Sequence, residues 1–260
     1  MNKINLFTGI IATALLGLSF SWAIPPAVAA AEQKAQFVIR QGDGGSQRER
    51  NLGRIAKILG EHGCPVNVTT LTPSQPTPPK TALEFSHQTH EATSKRLPNF
   101  HLGLFPRTID GKTKVGAALV LHKAVGITEL AMLDGESIGF VSKDSPAGYL
   151  EMRKILEKAG VKEAPEKNSF GDNHVGTASL LLHKEIYAAV VATPMAEEWV
   201  EFNGLVIIAR TAELESGGLW INNALDPVLA KKCSAALAGL KEGLPMRAFP
   251  QWIKRFEVVK

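Results

Sequence analysis

The chain has 260 residues, with 29 Lys and Arg against 25 Asp and Glu, so its formal net charge is only +4. The basic residues form no dense cluster, which argues against a nucleic-acid partner, because such binding needs positive charge concentrated along one face. After an apolar run at residues 6–23, the sequence contains no second run long enough to cross a bilayer. The remainder is long enough for one large domain or for two lobes of ordinary size.

The N-terminus has the order of a secretory signal peptide. Lys3 precedes the apolar run at residues 6–23, and two prolines and an Ala-Val-Ala sequence at 27–29 follow it. This order predicts a signal peptide over residues 1–30 and export to the periplasm, with a retained membrane anchor as the alternative.

The next elements predict a strand, a loop, a helix and a second strand. The strand AQFVIR ends in a glycine-rich loop at Gly42 to Gly45 with Ser46, the helix occupies residues 46–63, and PVNVTTL alternates like a short strand. This opening is typical of a three-layer α/β domain. Backbone N–H groups in the glycine loop could bind an anion, although the same glycines would serve a plain turn.

The sequence has two cysteines, Cys64 and Cys233. An oxidising compartment permits a disulfide between them. Sequence separation does not give the Cα distance that a disulfide needs, so two free thiols remain an alternative, and a soft-metal or thiol-binding ligand role is a third.

A proline-rich segment, TPSQPTPPKT, interrupts regular structure at residues 72–81. The sequence ALEFSHQTHEATSKRL after it predicts an amphipathic helix. His87 and His90 would share one face of that helix, but no third or fourth ligand accompanies them at a diagnostic spacing, so we expect no metal site.

The sequence NFHLGLFPRT predicts a short strand and a loop that contains Arg107. Arg107 lies at the end of the strand that should face a ligand, and its guanidinium could hold a carboxylate or oxyanion through two hydrogen bonds. An exposed surface arginine is the alternative.

The segment FVSKDSPAGYLEMRKILEKAGV, residues 140–161, predicts a strand end, a polar turn at residues 144–148 and an amphipathic helix. Turns of this shape can hold an anion, because free backbone N–H groups and the positive end of the helix dipole converge there. In the alternative interpretation, Ser145 is only the N-cap of the helix.

The last third continues the alternation. We expect a strand, a loop and a helix over residues 166–185, a buried strand ending in a loop at Thr193-Pro194, and a strand near residues 205–214. A final helix should begin at Pro227 with Asp226 as its cap. Strands and helices in this order predict a mainly parallel sheet covered on both faces, with ligands bound beyond the carboxyl ends of its strands.

Three segments together resemble the phosphate, phosphite and phosphonate-binding group of periplasmic solute-binding proteins of ABC importers. They are ITELAMLDGESIGFVSKDSPAGYLEMRKILEKAGV, FGDNHVGTASLLLHKEIYAAVVAT and LWINNALDPVLAKKCSAALAGL. The resemblance covers about residues 115–240 well, and before that only VIRQGDGG and FHLGLFPR are in register.

The resemblance implies an α/β, two-lobed type 2 periplasmic binding protein fold, with mainly parallel sheets flanked by helices. A ligand cleft lies between the lobes, which close about a hinge. Lobe I would comprise residues 31–122 plus 210–260, and lobe II residues 123–209. The chain would cross between them near residues 115–125 and again near residues 209–218.

The resemblance also implies the residues of the anion-holding turn. Ser145 matches the first hydroxyl of the family's Ser-Thr-Ser-Gly segment, and Gly148 and Tyr149 match its end. Pro146 and Ala147 replace two polar positions, and Pro146 has no N–H, so the turn offers fewer donors than the family pattern. The N–H groups from Ala147 onward remain as donors.

Two further positions complete the implied site, with Arg107 as an additional candidate. His174 matches a loop histidine that donates to the ligand, either as imidazolium or as a neutral donor. Thr193 stands where the family commonly has an acidic residue, and threonine cannot pair with an ammonium group. This argues against an aminoalkyl phosphonate as the ligand.

These features predict a monomeric, non-enzymatic solute-binding protein that captures a phosphonate, phosphite or phosphate-like oxyanion for an ABC permease, without a cofactor. An alternative is a ligand-sensing or accessory protein that partners a histidine kinase or a redox system and binds a non-phosphoryl ligand. A periplasmic enzyme is a third class, but the sequence contains no recognisable catalytic motif.

Overall fold

The computed structural model describes residues 34–40, 47–72, 74–162, 164–171, 173–240 and 243–260. The predicted signal peptide over residues 1–30 and the glycine-rich loop with Ser46 lie outside these residues. Within the described ranges, no helix is both long and apolar enough to span a membrane.

The described residues form six α-helices and twelve strands. The elements of the first half are β1 (Ala35–Arg40), α1 (Gln47–Glu61), β2 (Val66–Leu71), β3 (Thr81–Thr89), α2 (His90–Arg96), β4 (Phe100–Arg107), β5 (Lys114–Val115) and β6 (Ala117–His122). Those of the second half are β7 (Ile138–Phe140), a π-helical turn (Pro146–Glu151), α3 (Met152–Lys158), β8 (Asn168–Phe170), α4 (His174–Leu182), β9 (Ala188–Ala192), α5 (Thr193–Phe202), β10 (Leu205–Arg210), β11 (Leu214–Asn222), α6 (Pro227–Ala238) and β12 (Arg255–Val258).

The first sheet has the strand order β12-β4-β11-β3-β1-β2, with β5 paired to β11. Strands β1, β2 and β3 are parallel, and β11 runs antiparallel to both β3 and β4. Strands β3 and β4 therefore run in the same direction and end at the same edge. Phe37 and Ile39 of β1 and Phe85 of β3 are fully buried in one core cluster with Leu59 of α1.

The second sheet has the order β10-β6-β9-β7-β8. Strands β7, β8 and β9 are parallel, whereas β6 is antiparallel to β9 and β10. Both sheets are therefore mixed, whereas the sequence predicted mainly parallel sheets, because β11 and β6 pair antiparallel with their neighbours. One face packs against Leu156 of α3, and the other packs against Leu181 of α4 and Ala196 of α5. Helices therefore cover both faces, which explains why β9 consists entirely of buried apolar residues.

The chain passes from the first sheet to the second at Gly116 and returns to the first sheet at Thr211. The Ala117 N–H donates to the Thr211 hydroxyl over 2.8 Å, and the Thr211 N–H donates to the Ala117 carbonyl over 2.9 Å. A Cβ atom at Gly116 would lie 3.1 Å from the Thr211 carbonyl oxygen, so only a residue without a side chain fits easily.

This arrangement changes one predicted boundary. We expected residues up to 122 to belong to lobe I, but β6 pairs with β9 and β10, which places residues 117–122 in the second sheet. We therefore propose that the lobes meet at Gly116 and Thr211, with residues 117–210 as lobe II.

The predicted helix after the proline-rich segment was wrong in its first half. Residues 81–89 form β3, and only residues 90–96 are helical. The polar residues Glu84 and Ser86 imitate the exposed face of an amphipathic helix, but both are fully buried on the face of the sheet opposite Leu83 and Phe85. Similarly, the loop predicted at Thr193-Pro194 is the first turn of α5, where proline is tolerated.

A buried ion-pair network accounts for Glu84. Its carboxylate lies 2.7 Å from Arg40 Nε and 2.6 Å from Arg96 Nη1, and it accepts a hydrogen bond from the Thr77 hydroxyl over 2.8 Å. Arg40 also donates to the Thr72 carbonyl over 2.7 Å. The network thus fastens the proline-rich segment to the sheet and fixes Arg40 at the end of β1.

Cys64 and Cys233 form a disulfide, with a Cα–Cα distance of 4.8 Å. It joins the segment after α1 to the middle of α6, and both residues are fully buried in the core of the first sheet. The alternatives of free thiols and of a soft-metal site do not apply, because both sulfur atoms are bonded to each other.

Replacing both cysteines by alanine should lower the free energy of unfolding by roughly 3–5 kcal/mol, because a disulfide across a long separation restricts the unfolded chain strongly. The separation is 169 residues. Urea denaturation of the double variant and of the oxidised wild type measures this difference. An unchanged midpoint and slope would contradict the structural role of the disulfide.

Candidate functional site

Two polar contacts join the layers of the two sheets, and we take the space beside them as the candidate cleft. His87 near the end of β3 lies with Nε2 3.5 Å from Oδ2 of Asp144, in the turn after β7. The Gln251 side-chain oxygen accepts a hydrogen bond of 3.1 Å from the Val175 N–H in the first turn of α4. Each contact joins a residue of the first sheet's layer to one of the second.

Ser145 is the N-cap of the π-helical turn, and this capping does not exclude contact with a ligand. Its Oγ accepts a 3.1 Å hydrogen bond from the Gly148 N–H, and this leaves the hydroxyl proton as a donor for another acceptor. A Cβ atom on residue 148 would lie 2.7 Å from this Oγ, so the cap requires glycine there. π-Helical turns are often found at functional sites.

Ala147 and Tyr149 anchor the turn in the core. Ala147 is buried among the apolar residues of the second sheet. The Tyr149 ring packs edge-on against Phe140, with ring centroids 4.9 Å apart, and its centroid is 5.8 Å from that of Phe170. This packing fixes the position of Ser145 relative to the end of β7.

His174 is the first residue of α4 and is buried. Its Nδ1 atom accepts a 3.2 Å hydrogen bond from the Ala192 N–H at the end of β9, so Nδ1 carries no proton. Burial lowers the pKa of His174 from 6.5 to about 4. At neutral pH this residue is therefore an uncharged imidazole whose proton is on Nε2, which is the neutral-donor form of the two expected from the sequence.

Thr193 lies beside His174 in the structure, because it directly follows Ala192. Its N–H donates to the Gly116 carbonyl over 3.0 Å, and its hydroxyl is within 3.3 Å of where a Gly116 Cβ would be. Thr193 thus connects the start of α5 to the crossing between the sheets.

Arg107 is engaged by neighbours of its own sheet. Its Nε donates to Glu257 over 2.9 Å, and its Nη1 donates to the Gly111 carbonyl over 2.9 Å. The hydrogen bond and the charge of Arg107 hold the pKa of Glu257 below its ordinary value. The guanidinium therefore links β4 to β12 and to the loop that follows β4.

The sequence did not indicate His87, Asp144 or Gln251 as residues of the cleft. His87 and His90, which we considered as a metal pair, have separate partners: His87 Nδ1 contacts the Arg40 carbonyl at 3.1 Å, and His90 Nε2 contacts the Gly217 carbonyl at 2.7 Å. No group of three possible metal-ligating side chains occurs among the described residues.

Asp144 is an acidic residue in the turn after β7, and its carboxylate faces His87. Burial raises the pKa of Asp144, but its interaction with His87, with a smaller contribution from Ser142, leaves that pKa below its ordinary value. Asp144 directly precedes Ser145, so its carboxylate stands next to the start of the π-helical turn.

A groove with a volume of about 230 Å³ borders the cleft. It includes Val175 and Pro194, which directly follow His174 and Thr193, and it includes Gln251 and Trp252 from the opposite side. The start of α4 and the start of α5 therefore open onto a shared concave surface.

A protein family described as "ABC transporter, phosphonate, periplasmic substrate-binding protein" matches residues 95–260, which is more than half of the chain. No curated protein matches the sequence closely enough to count as a relative.

Several solved structures have a similar fold. PhnD1 from Prochlorococcus marinus (MIT 9301), in complex with methylphosphonate, has 15% sequence identity and a TM-score of 0.62, over 87% of this chain and 93% of that chain. A protein from Xanthomonas citri bound to chloride ion has 13% identity and a TM-score of 0.58, over 87% and 92%. A binding protein component of an ABC phosphonate transporter from Pseudomonas aeruginosa has 15% identity and a TM-score of 0.57, over 87% and 82%.

At these identities the structural likeness shows the fold alone. It confirms the two-lobed α/β fold of type 2 periplasmic binding proteins that the sequence predicted.

Buried neutral His174 should make stability depend on pH. Its pKa is about 4 in the folded chain and about 6.5 in the unfolded chain, so between these values the unfolded chain binds more protons. The contribution is fully favourable above pH 6.5 and is lost as the pH falls towards 4, by roughly 1.4 kcal/mol per unit.

The variant His174→Asn tests this, because the amide oxygen can accept the Ala192 hydrogen bond but does not titrate. Urea denaturation at several pH values should show a shallower loss of stability in the variant below pH 6.5. The exposed His183→Gln serves as the control and should behave like the wild type. Identical pH profiles for the wild type and His174→Asn would contradict the assignment.

Proposed function

This chain belongs to the family of periplasmic substrate-binding proteins of phosphonate ABC transporters, and on that premise we propose that it captures a small phosphonate, phosphite or phosphate-like oxyanion and delivers it to a membrane permease. The observation that carries the proposal is that two neutral donors follow the carboxyl ends of the adjacent parallel strands β7 and β8. The Ser145 hydroxyl stands at the π-helical turn, and the His174 Nε2–H stands at the start of α4.

Neutral donors suit such a ligand. An oxyanion bound by O–H and N–H groups is stabilised by charge-assisted hydrogen bonds, which are roughly twice as strong as neutral ones. Two helix N-termini, those of α4 and α5, begin at His174 and Thr193, and their dipoles favour negative charge nearby. Ala147 and Gly148 add the backbone of the turn, and Tyr149 holds it in place.

We propose that capture occurs in the periplasm, after export directed by residues 1–30. The Cys64–Cys233 disulfide supports this, because disulfides persist in oxidising compartments. We also propose that the protein acts as a monomer and releases its ligand chemically unchanged.

A second candidate function is ligand sensing, as a partner of a membrane histidine kinase or a redox system. The observation that favours it is the loss of polar groups at Pro146 and Ala147 and of an acidic group at Thr193, relative to the family pattern. Transport of radiolabelled ligand by vesicles that contain the permease separates the two roles, since only an importer component stimulates uptake.

Thermal shift measurements against phosphate, phosphite, methylphosphonate, sulfate and small carboxylates test the ligand class. At 100 times its Kd, a ligand adds roughly 2.7 kcal/mol of stability, so the phosphorus oxyanions should raise the melting temperature clearly. Stabilisation by carboxylates alone would overturn the phosphoryl assignment, and stabilisation by none would overturn the anion assignment.

Isothermal titration with the best ligand tests the two donors. Ser145→Ala and His174→Asn each remove one donor and should weaken binding by roughly 1–3 kcal/mol. His174→Gln places an amide N–H near the position of Nε2 and should retain more of the affinity than His174→Asn. Ser94→Ala, on an exposed face of α2, is the control. Unchanged affinity in both Ser145→Ala and His174→Asn would place the ligand elsewhere.

A further inference from the structure

A hydrogen bond to the backbone orients the ring of His87 and shows that one of its nitrogens carries a proton. Its Nδ1 lies 3.1 Å from the Arg40 carbonyl oxygen. A carbonyl oxygen can only accept a hydrogen bond, so the proton of this bond belongs to Nδ1. The ion pairs of Arg40 with Glu84 hold that residue at the end of β1, and the ring of His87 is therefore fixed relative to the first sheet.

The other nitrogen of His87 faces Asp144 from the opposite lobe. Nε2 and Oδ2 are 3.5 Å apart, and both atoms are shielded from solvent. Neither atom has a hydrogen-bond partner among the described residues. If Nε2 carries no proton, it and the Asp144 oxygen are two buried acceptors that face each other, which is unfavourable. A proton on Nε2 makes the contact an attraction between an imidazolium and a carboxylate.

The position of this pair matters because Asp144 directly precedes Ser145. The carboxylate is an anion of the protein itself, placed against a histidine at the entrance to the turn. Other charges near the pair are engaged elsewhere: the Arg40 guanidinium contacts Glu84, and the Lys143 ammonium lies 5.4 Å from the centre of the Phe170 ring. His87 is thus a lobe I side chain that reaches the residue next to Ser145.

We infer that His87 is an anion-binding residue contributed by lobe I and that Asp144 is a built-in competitor, which an incoming oxyanion displaces from His87. This inference rests on the proposed function, because it assigns two more residues to the same cleft. Before binding, the His87–Asp144 contact holds the lobes together. During binding, the ligand accepts the Nε2 hydrogen bond, and the Asp144 carboxylate moves into solvent.

The effect of Asp144→Asn on ligand affinity should depend on whether His87 is present. Asp144→Asn keeps the shape of the side chain and removes its charge, so affinity for methylphosphonate or inorganic phosphate should rise roughly 10- to 150-fold, the range expected for releasing one charge-assisted hydrogen bond. His87→Gln should lower affinity. In a His87→Gln background, Asp144→Asn should give little further gain, because no histidine remains to compete for.

Glu129→Gln is the matched control, since Glu129 is an exposed acid of the same lobe. It should change affinity less than twofold. An equal gain from Asp144→Asn in the presence and absence of His87 would overturn the inference, because it would show general relief of charge repulsion instead of competition.

A measurement without ligand separates this inference from the proposed function. Spin labels at Lys57→Cys on α1 and Glu157→Cys on α3 report the distance between the lobes, and both sites are largely exposed. Asp144→Asn and His87→Gln should each broaden the distance distribution towards longer values, while Glu129→Gln should not. If no anion binds but both variants still lengthen the distances between the lobes, the proposed function fails. The role of the His87–Asp144 contact in holding the lobes together is then still supported. If neither variant changes the distances, the inference fails, whatever the protein binds.

Discussion

The two hydrogen bonds between Ala117 and Thr211 join the two passages of the chain from one sheet to the other. The end of β3 and the turn after β7 lie close together, since His87 contacts Asp144. The Thr193 N–H bonds to the Gly116 carbonyl, which ties the start of α5 to this point. Both parts of the candidate site, the Ser145 turn and the His174 helix, belong to the lobe that begins there.

The chemistry of the cleft follows from burial. His174 is uncharged because its ring is removed from water, and the Ala192 N–H directs its remaining proton onto Nε2. Ser145 is a donor because its oxygen is already used as a cap. The site therefore offers directional hydrogen bonds with little fixed positive charge, and His87 of lobe I faces the Asp144 carboxylate beside it.

Local sequence signals predicted the elements whose ends are set by interactions between residues close in sequence. Asp226 and Pro227 specify the start of α6 by capping and by a fixed φ, and the structure has that start. Residues 81–89 were wrongly predicted as helix, because Glu84 looks like an exposed residue in the local sequence. Its burial depends on ion pairs with Arg40 and Arg96, which lie in other elements. The disulfide, the tautomer of His174 and the His87–Asp144 contact also join distant segments, and no local pattern encodes such contacts. The motif around Ser145 indicated the right turn but not Asp144 as its charged neighbour.

The central claim is that Ser145 and His174 hold the anion, and a crystal structure of the protein grown with methylphosphonate would show the contacts. We expect phosphonate oxygens within hydrogen-bond distance of the Ser145 hydroxyl, of His174 Nε2 and of the backbone at the start of the π-helical turn. Density for the ligand at a position that contacts neither Ser145 nor His174 would contradict the claim.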